Sequence, residues 1–203
     1  IVRTICETRT FCRLCVESGN MSPIEQVLHD VVTLLERLGI PYALIGQFAV
    51  GVHGVADLTE DVDVMIQIEH NQLANLALEL AQLGYAASEK RLATNLDQIG
   101  GMPYVRATTK FAGRTLVADI FLAQSELQES AMGRRLKSRL VGFDRWVVSA
   151  EDLILLKVIP SRPRDLADIR DVLELNTACD AGYLRKWADR LGVSDRLEVA
   201  LGS

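Results

Sequence analysis

Asp61 and Asp63 stand one residue apart in the run Asp61-Val62-Asp63-Val64-Met65-Ile66. Acid alternating with apolar residue reads as a strand, and the period of two puts both carboxylates on one face. Carboxylates side by side repel each other. Such pairs are relieved by a shared proton or a cation, and paired oxygen ligands suit Mg²⁺. Upstream, the short apolar run Tyr42 to Ile45 stops at Gly46, and a small-residue segment, Ala49 to Gly54, follows. A glycine at a strand-to-helix turn lets backbone N–H groups face a phosphate at the helix N-terminus. A phosphate cradle followed by a metal-binding acid pair is what phosphoryl or nucleotidyl transfer requires.

The elements that position these residues are legible around them. Ser22-Pro23-Ile24-Glu25 is a helix start: Ser22 as N-cap, Pro23 at the first helical position and Glu25 closing a capping box. From Ile24, apolar residues recur at helical spacing to Leu38, and Gly39 ends the helix. The spacing predicts a strand at Tyr42 to Ile45, a helix over 47–53, a strand at Val62 to Ile68 and a helix over 71–83 closed by Gly84. Tyr85 to Ser88 reads as a short strand. Residues 89–101 are polar and end in Gly100-Gly101, read as a plain turn rather than a second phosphate loop. Tyr104 to Thr109 and Arg114 to Leu122 form a hairpin around Ala112-Gly113. In its second strand Val117, Asp119 and Phe121 share a face, and an acid in so apolar a strand needs a cation or donor beside it.

Farther along, Gly133 to Arg139 holds four cations in seven positions, a solvated run by default and an RNA- or triphosphate-contacting one as the alternative. Trp146 to Val148 reads as a strand. Ser149, with Asp152 three residues on, starts a helix that stops before Pro160 and carries Lys157 near its end, a cleft-facing residue expected to matter little to folding. Arg164 and Asp168 are i,i+4 partners on the next helix. Residues 181–191 and 195–201 read as two short helices.

The order Gly46-Gln47, a spacer from Phe48 to Glu60, then Asp61-Val62-Asp63-Val64 resembles the nucleotidyltransferase superfamily typified by DNA polymerase beta. Two positions depart from its pattern: Gln47 replaces a second small residue, and Asp57 stands where many relatives carry Arg before the Thr. The block Ser149 to Ile169 resembles the second motif of abortive-infection-type nucleotidyltransferase toxins and their small bacterial relatives. The resemblance implies an α/β (α+β) nucleotidyltransferase fold, a mixed sheet flanked by helices, with a helical C-terminal part. It implies Asp61, Asp63 and Asp119 as metal ligands for two Mg²⁺ ions. Gly46, Gln47, Thr59 and Lys157 would bind the nucleoside triphosphate, and Lys157 and Asp168 would join the three acids as catalytic residues. The acceptor it implies is a hydroxyl, such as an RNA or tRNA end in a toxin–antitoxin system with an antitoxin partner. A small antibiotic-type molecule is the alternative, and a degenerate non-catalytic nucleotide-binding module is the rival class.

Composition bounds these readings. The chain has 203 residues, 49% of them apolar, enough for one core. Its formal net charge of −5 argues against broad nucleic-acid wrapping but allows a local basic groove. No apolar run reaches membrane-spanning length and no signal peptide is evident, so a cytoplasmic protein is expected. Cys12-x-x-Cys15, with Cys6 and Cys179, lacks the second half of a zinc site, and His29, His53 and His70 show no ligand spacing; isolated thiols are expected. His53 reads as a polar cap at a helix end. Three parts are expected: a loosely ordered extension over 1–20, a nucleotidyltransferase core over 21–148, and a helical part over 149–203 packed on it.

Overall fold

The computed structural model describes residues 21–57, 59–87, 97–99 and 102–202. The readings placed on residues 1–20, Ser88 and Gly100-Gly101 lie outside them. Helix α1 (Pro23–Arg37) begins with the expected capping box: the Ser22 hydroxyl accepts from the Glu25 amide, and the Glu25 carboxylate accepts from the Ser22 amide. Its apolar stripe, including Val27, Leu28, Val31 and Leu35, is buried and lies on strands β2 (Asp61–Ile66) and β5 (Arg114–Leu122). Between them in the chain come β1 (Tyr42–Leu44), α2 (Gly46–His53), a 3-10 turn (His70–Gln72), α3 (Leu73–Gln82), β3 (Asp97–Ile99) and β4 (Met102–Phe111).

Among the described residues seven strands form one mixed sheet in the order β3-β4-β5-β2-β1-β7-β6, where β6 is Leu136–Leu140 and β7 is Phe143–Val147. β2 pairs antiparallel with β1 and parallel with β5. β1 pairs parallel with β7, while β3-β4, β4-β5 and β6-β7 are antiparallel. The central strands are closed to water: Val62, Val64, Met65, Ile66, Ala118 and Ile120 are fully buried, as strands covered on both faces must be. Helix α4 (Glu126–Arg134) joins β5 to β6. After β7 come α5 (Ala150–Val158), α6 (Pro163–Leu175), α7 (Ala181–Leu191) and α8 (Ser194–Leu201). α5 packs against α2, α6, α7 and α8, so the C-terminal helices close over the strand-to-helix turn at Gly46.

Several local readings change. β3 lies inside the stretch read as polar turn; among the described residues it pairs with β4 alone, a contact that local polarity does not encode. Tyr85-Ala86 makes one isolated bridge, Ala86 to Thr108, instead of a strand. The basic run is divided between the end of α4 and β6, with Arg134, Lys137 and Arg139 exposed; the periodicity suggested neither element. His53 is buried and its Nε2 lies 2.7 Å from the Val148 carbonyl. It ties α2 to the β7–α5 turn instead of capping a helix in solvent, and burial holds its pKa below the ordinary value.

Candidate active site

The site is built on one row across the sheet. Asp63 on β2 is directly opposite Asp119 on β5, and Asp119 is directly opposite Arg106 on β4. Side chains at paired positions of neighbouring strands project to the same face. The two-residue turn Ala112-Gly113 pairs Phe111 with Arg114, and so fixes Arg106 against Asp119 by register alone. Asp61 shares the face of Asp63 two residues away. One carboxylate oxygen from each of Asp61, Asp63 and Asp119 lies within 4.8 Å of the others. Asp61 is exposed, Asp63 half-buried and Asp119 buried.

Gly46 begins α2 at the end of this row. Its φ is +60°, and a Cβ there would fall 1.9 Å from Asp63 Oδ2. Only glycine allows the helix start and the carboxylate to share this space. The Ile45 amide donates to the Asp63 carbonyl at 3.0 Å, which locks the turn to β2. No side chain caps the N-terminus of α2, so its first amides are open to an anion in the cleft.

The opposite wall comes from α5 and α6. Lys157 is buried, and its Nζ donates to Asp168 Oδ2 at 2.6 Å and lies 3.8 Å from Asp165 Oδ1. Arg162 grips Asp165 with Nε at 2.7 Å and Nη2 at 3.1 Å. Burial works to raise the Asp165 carboxyl, but the side-chain and backbone bonds of Arg162, with Lys157 nearby, hold it below the usual carboxylate range. Arg164 does not pair with Asp168 as the i,i+4 spacing suggested. Its Nη2 lies 3.5 Å from Gln47 Oε1 and 3.9 Å from Asp57 Oδ2, because Asp168 is turned inward to Lys157. Lys157 is thus no removable surface cation; it lies between two acids with little exposure.

These walls enclose a cleft of about 400 Å³, within the range of ligand pockets. Gly46, Gln47, Asp61, Asp63, Asp119, Lys157 and Asp168 all line it. Thr59 reaches it through Asp61: its hydroxyl lies 3.0 Å from Asp61 Oδ1 and 2.9 Å from the Asp61 carbonyl, and donates its one proton between them. Four charged lining residues were not singled out for the site from the sequence: Arg106, Arg162, Arg164 and Asp165. The hairpin register held the signal for Arg106. Arg162 and Asp165 sit beside a named pair, and only the packing of α6 on α5 shows that they face the cleft.

Burial, and then the neighbouring Asp61 and Asp119 charges, push the Asp63 carboxyl up to about 7, against the weaker opposing pull of Lys157 and Arg162. An all-oxygen donor set that resists carrying its own charge is suited to a hard divalent cation.

No protein-family model matches the chain, and no curated protein does. Among solved structures it is similar to an antigenic nucleotidyltransferase-like protein from Paracoccidioides brasiliensis, at 18% identity and TM-score 0.54, over 86% of this chain and 92% of that one. The chain has the nucleotidyltransferase fold. ANT(2'')-Ia in complex with adenylyl-2''-tobramycin is similar at 14% identity and TM-score 0.56, over 84% and 97% of the two chains. The lincomycin-bound lincosamide antibiotic adenylyltransferase LnuA is similar at 14% identity and TM-score 0.52, over 74% and 97%. The mixed sheet and flanking helices expected from the resemblance to the polymerase beta-like superfamily are borne out.

Proposed function

We propose that the protein transfers a nucleoside monophosphate from a nucleoside triphosphate to an acceptor hydroxyl. The observation that carries this reading is the convergence of Asp61, Asp63 and Asp119 in a cleft whose far wall presents Lys157, Arg162 and Arg164. The three acids would hold divalent cations, Mg²⁺ by donor type, two in number by the resemblance. When bound, such ions lower the pKa of an attacking hydroxyl and neutralise charge on the leaving group. The uncapped start of α2 receives phosphate oxygens through its amides, with Gly46 leaving room beside Asp63. Thr59 holds Asp61 in place from outside the cleft. Lys157, oriented by Asp168, offers its ammonium to the leaving pyrophosphate in a partly water-excluded site, where a charge contact is stronger than at an open surface. Gln47 and Arg164 meet at the mouth, where a long polyphosphate would pass. A nucleoside triphosphate substrate is consistent with the expected cytoplasmic location.

For the acceptor we infer a small hydroxyl compound. Part of the basic run, the best sequence candidate for an RNA surface, is engaged within the protein. Arg134 pairs with Glu151 and Asp152, and Arg135 and Lys137 lie 4.8 and 5.1 Å from the centre of the Trp146 ring. None of these residues lines the cleft. Two solved structures of this fold bear the names of antibiotic adenylyltransferases or their products. The test is incubation with each labelled triphosphate and Mg²⁺, with polyhydroxyl antibiotics in one set and total RNA in another. Label in a small molecule supports the reading, and label in RNA overturns the acceptor. Nucleotide binding with no label transferred to either acceptor overturns turnover and leaves the non-catalytic module.

A further inference from the structure

Asp119 sits beside Asp63 in the row across the sheet, and both of its oxygens accept from one side chain. Arg106 Nε donates to Oδ1 at 2.8 Å and Nη2 to Oδ2 at 2.7 Å. This is a two-pronged guanidinium–carboxylate pair, the strongest geometry such a pair has. The partners differ in exposure: the Asp119 side chain is 4% exposed and the Arg106 side chain 44%. The acid is fixed in the sheet, and the cation reaches it from the open side of the cleft.

We propose that Arg106 is an internal counter-cation for Asp119 that a divalent ion must displace from at least one oxygen, so that metal binding is weak until nucleotide is present. The inference rests on the metal-site reading above. Three acids within 4.8 Å of one another repel strongly when no cation is present. Arg106 relieves that repulsion from within the chain. A doubly charged ion entering between Asp63 and Asp119 meets a guanidinium fork on the same carboxylate. Like charges at that distance oppose each other, and the fork takes one lone-pair direction on each carboxylate oxygen. The guanidinium has somewhere to go. Arg106 lines the cleft, and its guanidinium carbon lies 5.5 Å from the centre of the Tyr104 ring, two residues away on the same face. A polyphosphate in the cleft offers it a second anion at the moment it releases Asp119. Metal and nucleotide then assist each other through one side chain, and by linkage each tightens the other equally. Arg106 is accordingly a positioning residue that acts through Asp119.

Calorimetric titration of the 203-residue chain with Mn²⁺, with and without a non-hydrolysable triphosphate, tests this without turnover. Wild type should bind Mn²⁺ weakly alone and on the order of tenfold or more tightly with the nucleotide. Arg106→Gln should bind Mn²⁺ tightly without nucleotide and lose most of that gain. Arg106→Lys, which keeps the charge but not the fork, should fall between them and guards against a folding defect in the first variant. Arg139→Gln, at the far edge of the sheet, should behave as wild type. Mn²⁺ binding that Asp61→Asn removes but Arg106→Gln and Arg106→Lys leave unchanged or weaken overturns the displacement alone. No Mn²⁺ binding by any variant in either condition overturns the displacement and the metal-site reading together.

Discussion

Two aspartate–cation pairs line the same cleft and differ in the half that is exposed. On the sheet side Asp119 is buried and its partner Arg106 stands 44% exposed. On the helix side Lys157 and Asp168 are both nearly closed, at 11% and 9%, and Asp165 shares the ammonium. The chemistry of the contacts is alike. Burial separates them: a cation that water can reach is exchangeable, whereas one sealed between two acids is part of the fold, because removing it leaves uncompensated charges in a poor solvent for them.

The sharpest way to break this contrast is at the row itself. Asp63→Asn should lower turnover on the order of a thousandfold by removing a metal ligand and an electrostatic stabiliser. It should leave the metal-free protein as stable as wild type or more so, since it removes a crowded charge. A thermal midpoint that drops by many degrees would instead make Asp63 a structural residue. Lys157→Ala should lose about 3–5 kcal/mol of folding free energy, the usual result of orphaning buried ion-pair partners, together with turnover. Arg106→Gln should lose only about 1–2 kcal/mol, the cost of a buried acceptor whose partner was half in water. Urea unfolding of both variants measures the difference, and equal losses would erase the distinction between sealed and open pairs.

A gentler probe is pH. The Asp63 carboxyl is raised from 3.8 to about 7, so the folded protein binds its proton more tightly than the unfolded chain does. That contribution to stability is full below about pH 4 and is lost as pH rises through 7. The metal-free protein should therefore lose stability across this window, and Asp63→Asn should flatten that part of the profile. Mg²⁺ competes with the proton, so its stabilising shift should be larger at pH 8 than at pH 6. Thermal melts with Mg²⁺ and with chelator at both values check this, and an Mg²⁺ shift independent of pH would contradict it. The smallest effect belongs to Arg139→Ala. It lies on the edge strand β6, opposite Asp144 on β7, and turnover with a small acceptor should stay within about twofold of wild type. A large loss in a transfer assay would bring the basic run back as a substrate surface.

Local patterns carried most elements of the fold. Capping at Ser22 and Ser149, the apolar stripe of α1 and the Ala112-Gly113 turn are written in neighbouring residues, and each stands where its spacing places it. β3 and β6 escaped because they are short and polar; α4 is polar too, and its one local signal is the capping box of Ser125 and Gln128. β3 and β6 are edge strands, each held by one antiparallel neighbour rather than by an apolar period.

The sequence by itself determined that Asp61 and Asp63 share a face, that Gly46 ends a strand and opens a helix, and that Lys157 and Asp168 follow on two successive helices. It also held the Arg106–Asp119 pairing, since a two-residue turn sets every pair behind it. Only the tertiary structure decided which acid completes the triad, because that depends on β2 pairing in parallel with β5, strands joined by a long crossover with no local signature of register. Only it showed that Gly46 makes room for the Asp63 side chain, that Asp168 turns to Lys157 and not to Arg164, and that Lys157 is buried. These are contacts between elements. Their energies come from burial and from charges meeting across gaps in sequence, which helical and strand periodicities do not record.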